Sequence, residues 1–90
     1  MTILRDIPAA GRLEMDQDGQ IVFANYRRDG SRLIIDHVEA PIALRGTGAA
    51  GRFMEALANR ARANGERLVP LCGYAAAWLH RHAKHRDLVG

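Results

Sequence analysis

Seven residues in the middle of the chain, Arg45-Gly46-Thr47-Gly48-Ala49-Ala50-Gly51, join a permanent cation to a run of small side chains. Where such a run opens a helix, the N–H groups of the first turn have no intrahelical acceptor, and small residues let a bound group come close to them. With the helix dipole behind them, these groups attract anions, phosphate above all. Arg45 would add fixed positive charge at the same place. A glycine-rich helix start also serves tight packing alone, so the loop by itself leaves both readings open.

Three templates compete for this loop. Gly46-x-Gly48-x-x-Gly51 has the form of the dinucleotide fingerprint. That fingerprint needs its first glycine directly after a parallel strand and an acid at the end of the next strand. Here Glu39 to Leu44 intervene, and the next apolar run ends in Val69-Pro70-Leu71-Cys72 with no acid. Gly46 and Gly51 also approach P-loop spacing, yet Arg52 and Phe53 stand where that motif needs a lysine and a magnesium-binding hydroxyl. The third pattern, Arg/Gln-x-x-Gly-x-Gly/Ala, is met by Arg45–Ala50 and requires only an anion.

Other side chains could carry chemistry. His37 and Glu39 are two residues apart in a strand-like run, hence on one face, and either could take a proton from an ammonium group. Cys72 is a nucleophile if a neighbouring base such as His37 stabilises its thiolate, or a buried small hydrophobe if none does. His37 is equally a base or a hydrogen-bonded core histidine. Tyr74 is a rim tyrosine or a proton donor. His80, His82 and His85 lack a second cysteine or a His-Glu-x-x-His spacing, so no metal is expected. Trp78 is read as core.

These groups need elements to hold them. Asp18-Gly19 and Asp29-Gly30 support the positive φ angles of tight hairpins. They divide Arg12–Met15, Ile21–Arg27 and Arg32–Val38 into a three-stranded antiparallel meander. In the third strand Leu33, Ile35 and His37 alternate with Ile34, Asp36 and Val38. Both sets are partly apolar, so the strand is expected to be covered on both faces. From Thr47 to Asn64 the period changes, with Ala50, Phe53, Met54, Leu57, Ala58 and Ala61 at helical spacing and a stop at Asn64-Gly65. A strand at Arg67–Leu71, a helix over Tyr74–His82 and a frayed tail or short final turn from Ala83 to Gly90 complete an order β-β-β-α-β-α. The fold class is α+β: a mixed, mainly antiparallel sheet flanked by helices, with a right-handed crossover to the last strand.

Ninety residues, 48% hydrophobic and 26% charged, suit one domain spanning 1–90. The net charge of +3 comes from twelve arginines and one lysine against ten acids and favours phosphate-bearing partners. The arginines are spread along the chain, which disfavours nucleic-acid binding. No apolar run approaches the roughly 20 residues of a membrane span, and Met1-Thr2-Ile3-Leu4-Arg5-Asp6-Ile7-Pro8 holds no signal-like stretch. With one cysteine and no internal disulfide, a cytoplasmic location is expected.

Taken together, His37-x-Glu39, the Arg-Gly-x-Gly-x-x-Gly loop with its following helix, and Pro70-x-Cys72 resemble the GNAT superfamily of acetyl-CoA-dependent N-acetyltransferases. The resemblance runs from about Tyr26 to Val89 and is narrowest to the small stand-alone YjdJ-like members. It implies a minimal acyl-CoA-binding fold in which two strands splay apart around pantetheine. The V would be walled by His37–Ala40 on one side and Val69–Cys72 on the other. Backbone groups of Ala40, Ile42 and Leu44 would pair with pantetheine amides, and pyrophosphate would rest on Arg45, Gly46, Thr47, Gly48, Ala49 and Ala50. Cys72, His37 and Glu39 would then lie near the acetyl carbon, with a small-molecule or protein amine as acceptor. The chain departs from the pattern at Val38, at Ala83-Lys84-His85 and above all at Leu79, where larger relatives often place a tyrosine that protonates the leaving thiolate. That departure keeps a non-catalytic acyl-CoA-binding or sensing module as the alternative.

Overall fold

The computed structural model describes residues 3–90, so the first two residues of the N-terminal run lie outside it. Five strands form one sheet in the order of the chain: β1 (Leu4–Ile7), β2 (Arg12–Gln17), β3 (Gln20–Asp29), β4 (Arg32–Glu39) and β5 (Arg67–Pro70). The first three pairings are antiparallel and β4–β5 is parallel. Helix α1 (Ala49–Ala63) makes the crossover, and α2 (Gly73–Arg81) follows β5. The meander is as expected, with one strand added at its start. β1 was missed because four residues show no alternation; pairing with β2, Leu4 opposite Met15, is what orders it.

The first hairpin is the tight turn its Asp-Gly pair predicts, with Asp18 at φ 51° and Gly19 at φ 76°. The second shifts by one residue. Asp29 pairs with Arg32, so Gly30 (φ 61°) and Ser31 form the turn.

Alternation puts Leu13, Met15, Val22, Ala24, Leu33, Ile35 and Leu68 on one face, and both helices pack there. α1 buries Ala49, Phe53, Met54, Leu57, Ala58 and Ala61; at its first turn Ala49, rather than the expected Ala50, is the buried residue. α2 contributes Ala75, Trp78 and Leu79 to the same core. The helices touch where a side chain at Gly51 would lie 3.4 Å from the Trp78 indole nitrogen.

The opposite sheet face carries no helix among the described residues, which corrects the expectation that β4 is covered on both sides. A β-bulge explains the misleading pattern. Asn25 pairs with His37 but Tyr26 with Ile35, so Asp36 is an extra residue in β4. Leu33 and Ile35 face the core; after the bulge Val38 and Ala40 do so too. His37 therefore does not share a face with Leu33 and Ile35. It points outward with Asp36 and Glu39.

Of the two expectations for the C-terminus, the final turn holds and the frayed tail does not. Ala83–Leu88 forms a 3-10 segment that buries His85 and Leu88. Arg62 holds Asp87 through both carboxylate oxygens (2.8 and 2.9 Å) and the Lys84 carbonyl (2.9 Å), while Glu55 receives Lys84 (2.7 Å) and His85 (3.1 Å). Val89 then bridges to Leu68 on the outer edge of β5. These partners lie far along the chain, so no local pattern announces them.

Two predictions follow from this packing. Phe53, wholly buried at the centre of α1, should cost about 3–5 kcal/mol when changed to Ala, read as a lower urea midpoint with unchanged denaturant dependence. Acid should also destabilise the fold. Asp16, Asp36, Asp87 and Glu55 titrate below their ordinary values, held down by hydrogen bonds from Arg5, Arg27, Arg62 and Lys84 respectively. The unfolded chain takes up protons at these groups first, so the urea midpoint should hold above pH of about 5 and fall as pH drops through about 4 and below. Raised salt should shrink that fall, since the pairs are exposed.

Candidate functional site

The parallel ladder between β4 and β5 runs from Arg32 opposite Arg67 to Ile35 opposite Pro70 and stops. There the Ile35 carbonyl accepts from the N–H of both Leu71 (2.9 Å) and Cys72 (3.2 Å). The chain then turns away into α2 at Gly73, while β4 continues to Glu39 paired only with β3. Among the described residues no strand pairs with the β5-side edge of β4 beyond Ile35. The result is a notch whose mouth is flanked by large exposed apolar side chains, Ile42 (80% exposed) after β4 and Leu71 (61%) and Tyr74 (38%) after β5.

The glycine loop lies beyond the β4 wall. Ile42–Leu44 forms one 3-10 turn in which the N–H groups of Leu44 and Arg45 bond to Pro41 and Ile42. The extended edge of β4 thus ends at Glu39, and burying Leu44 curls the chain inward after it. Gly46 and Gly48 both adopt φ 82°, and Gly48 is the N-cap of α1 with no side chain capping it and no acid in the first turn. The N–H groups of that turn are therefore free for an anion. Arg45 is exposed, and no described side chain pairs with it.

Two residues that the motif reading overlooked hold this loop. Gln17 is buried at the end of β2 and donates to the Ala49 carbonyl (2.8 Å). Arg52 donates to Gln17 (2.9 Å) and to the Thr47 carbonyl (2.8 Å). Thr47 in turn gives its hydroxyl to the Leu44 carbonyl (2.5 Å). Arg52, which stands at the P-loop lysine position, thus points back into the structure. The signal for Gln17 was available: it follows Leu13 and Met15 at inward positions, where a polar group must find partners.

The structure brings His37 and Glu39 together, with Nε2–H donating to Oε1 at 3.1 Å and both side chains more than half exposed. It does not join His37 to Cys72 by a hydrogen bond. Cys72 is half-buried against the core at the start of α2. Tyr74 sits two residues on, its phenol pushed above the ordinary range chiefly by burial, with Arg81 opposing and Cys72 adding. Leu79 is fully buried. The histidines of α2 have packing roles: His82 stacks on Trp78 (3.8 Å between rings) and donates from Nδ1 to the Trp78 carbonyl, and His85 bonds Glu55. A concavity of about 320 Å³ lined by Pro70, Leu79, Arg86 and Val89 lies between α2 and the C-terminal segment rather than at the notch.

A family model described as GCN5-related N-acetyl-transferase matches residues 12–88, which spans the meander, the notch, the loop and both helices. The chain belongs to this acetyltransferase family. Its fold is similar to the solution structure of a GCN5-like candidate N-acetyltransferase from Staphylococcus aureus, with a TM-score of 0.69 at 18% identity over 98% of this chain and 87% of that one. At that identity the likeness speaks to the fold alone. A comparison with curated proteins finds no match. No described helix is long and apolar enough to cross a membrane.

For this GCN5-related chain, the two left-handed glycines separate loop shape from loop bracing. Gly46→Ala and Gly48→Ala both place a Cβ on a positive-φ backbone, at about 1–2 kcal/mol each. Only at Gly48 would that carbon meet the Arg52 guanidinium, at 3.2 Å; at Gly46 it meets open space. Urea unfolding should therefore show the larger loss for Gly48→Ala, and the difference should vanish in an Arg52→Met background.

Proposed function

We propose that this chain binds acetyl-CoA across the notch and transfers its acetyl group to an amine. The observation that carries the proposal is the edge of β4 that no described strand covers, opening beside a helix start without a side-chain cap and the exposed Arg45. Pyrophosphate suits the first-turn N–H groups from Gly48 to Ala50 with Arg45, Gly46 and Thr47 around them. Pantetheine suits the edge from His37 to Ala40, where its amides would add to the sheet in the manner of a strand. Ile42 and Leu71 supply apolar cover, and Leu44 anchors the wall from within. When bound, acetyl-CoA supplies an activated acetyl thioester.

The chain's own residues handle protons. An ammonium group does not attack a carbonyl until it is deprotonated. With Nε2–H committed to Glu39, His37 keeps its Nδ1 lone pair free to take that proton, and the Glu39 carboxylate stabilises the imidazolium that results. Tyr74 remains protonated at neutral pH and stands near the start of α2, where a departing thiolate needs a proton. Cys72 borders the same place; a covalent role would require a base other than the hydrogen-bonded His37–Glu39 pair to reach it. A cytoplasmic location fits the single free thiol. One observation favours a purely binding or sensing module instead: the buried Leu79 puts no proton donor at that point of α2.

Calorimetry with acetyl-CoA tests the cofactor reading. Saturable binding is expected, lost in Gly48→Glu and weakened about tenfold in Arg45→Ala; no heat at millimolar ligand would sink the proposal. Thiol release with a panel of amines tests turnover. His37→Ala should lower kcat by about 10²–10⁴, the range for a lost general base, with acetyl-CoA affinity preserved. Wild-type rates no higher than acetyl-CoA hydrolysis would leave the binding module standing. Cys72→Ala with unchanged kcat would exclude a covalent thioester.

A further inference from the structure

The concavity of about 320 Å³ behind α2 lies apart from the groups that the cofactor reading uses. Its volume falls at the low end of the roughly 300–1,000 Å³ of ligand pockets. Three elements build its walls: Pro70 at the end of β5, Ala76, Leu79 and His80 on α2, and Arg86 and Val89 in the C-terminal segment. The α2 residues follow the spacing that stacks side chains on one face of a helix. Leu79 is fully buried and reaches the concavity from the core, while Ala76 leaves room that a larger side chain would fill.

These walls stand without a ligand. The Val89 N–H donates to the Arg86 carbonyl (3.1 Å) and the Gly90 N–H to the Leu68 carbonyl (3.0 Å), which ties the C-terminal segment to β5. Val89 is nevertheless 41% exposed. A molecule in the concavity would cover that apolar surface at little ordering cost, because the chain around it is already placed.

One permanent charge stands at this apolar site. Arg5, Arg12, Arg27, Arg28 and Arg62 each hold a carboxylate, but among the described residues Arg86 holds none. The acids of that region are committed elsewhere, Asp87 to Arg62 and Glu55 to Lys84 and His85. Arg86 donates its Nε–H to the His80 carbonyl (2.9 Å), which pins the guanidinium and leaves both Nη groups without a described partner. Two such groups side by side match the two oxygens of a carboxylate. A helix end disfavours an anion, yet its carbonyls are engaged here. Arg86 holds that of His80, and His82 holds that of Trp78 through its N–H (3.1 Å) and Nδ1 (2.7 Å). A phosphate would bring a second charge against apolar walls with one permanent cation to meet it. A neutral apolar molecule would leave the guanidinium unused.

We infer that the concavity binds a small monocarboxylic acid with a short apolar chain. The carboxylate lies on the Nη groups of Arg86, and the chain lies against Pro70, Ala76, Leu79 and Val89. The site adjoins the notch along the backbone, since Pro70 is followed by Leu71 and Cys72, whose N–H groups end the ladder at Ile35. It uses none of the residues assigned to acetyl-CoA, so it stands or falls independently of that reading.

The test follows backbone amide shifts of the isotope-labelled protein during titration with butanoate, pentanoate and hexanoate. Saturable shifts should centre on Ala76, Leu79 and Val89, with affinity rising about fourfold for each added methylene. Hexan-1-ol and hexylammonium, which lack the carboxylate, should bind at least tenfold more weakly than hexanoate. Arg86→Met should erase that preference while hexan-1-ol binding stays unchanged, a pattern that general unfolding would not give. Ala76→Phe should fill the concavity and weaken every probe. No saturable shift at millimolar hexanoate overturns the inference, as does equal affinity for hexan-1-ol or hexylammonium, or a hexanoate preference that survives Arg86→Met. Tighter binding of an N-blocked tetrapeptide ending in leucine also overturns it, because the concavity would then belong to a polypeptide terminus.

Discussion

At the carbonyl of Ile35 two amide protons arrive, from Leu71 and Cys72, and the parallel ladder ends there. Two strands that had run together must then part. β5 turns into α2, whose Ala75, Trp78 and Leu79 are drawn into the core, while β4 is carried four residues further by its pairing with β3. The unpaired edge this leaves is the feature an added strand-like ligand would need. The bulge belongs to the same event. By slipping register at Asp36 it keeps Val38 and Ala40 on the core side and frees His37 and Glu39 from it.

The second constraint is polar. A glycine-rich loop with two left-handed residues has many alternatives in the unfolded chain, and ordering it is entropically costly. Gln17 and Arg52 offset that cost by tying Thr47 and Ala49 to the end of β2. Because Gln17 is buried, its hydrogen bonds act in a low-dielectric setting where an unmet partner would be expensive. The loop therefore has its shape before any anion arrives.

Much of this architecture can be read from the residues. The Asp18-Gly19 turn, the helix over Ala49–Ala63 and its stop at Asn64-Gly65 depend on local chemistry, and local chemistry is what a sequence displays. The joint spacing of His37-x-Glu39, the glycine loop and Pro70-x-Cys72 pointed to the family that the match over residues 12–88 shows. What escaped was non-local. β1 is four residues that mean nothing without β2 beside them. The tail from Ala83 is ordered by Glu55, Arg62 and Leu68, between 21 and 30 positions away in the chain by the pairs Leu68–Val89 and Glu55–His85. The apolar residues on both sides of the third strand suggested two covered faces, where one register slip serves one core.

The short bridge from Val89 to Leu68, with the Gly90 amide also donating to the Leu68 carbonyl (3.0 Å), bears on how the molecule behaves in company. The outermost strand of a sheet is a template on which another copy can add its own backbone, and β5 is guarded by its shortness, by Arg67 at one end and by Pro70 at the other. Here the chain's own end occupies part of that template. The last residues thus add a cover of their own to that edge, so an extension fused after Gly90 would disturb the edge before it disturbed the notch.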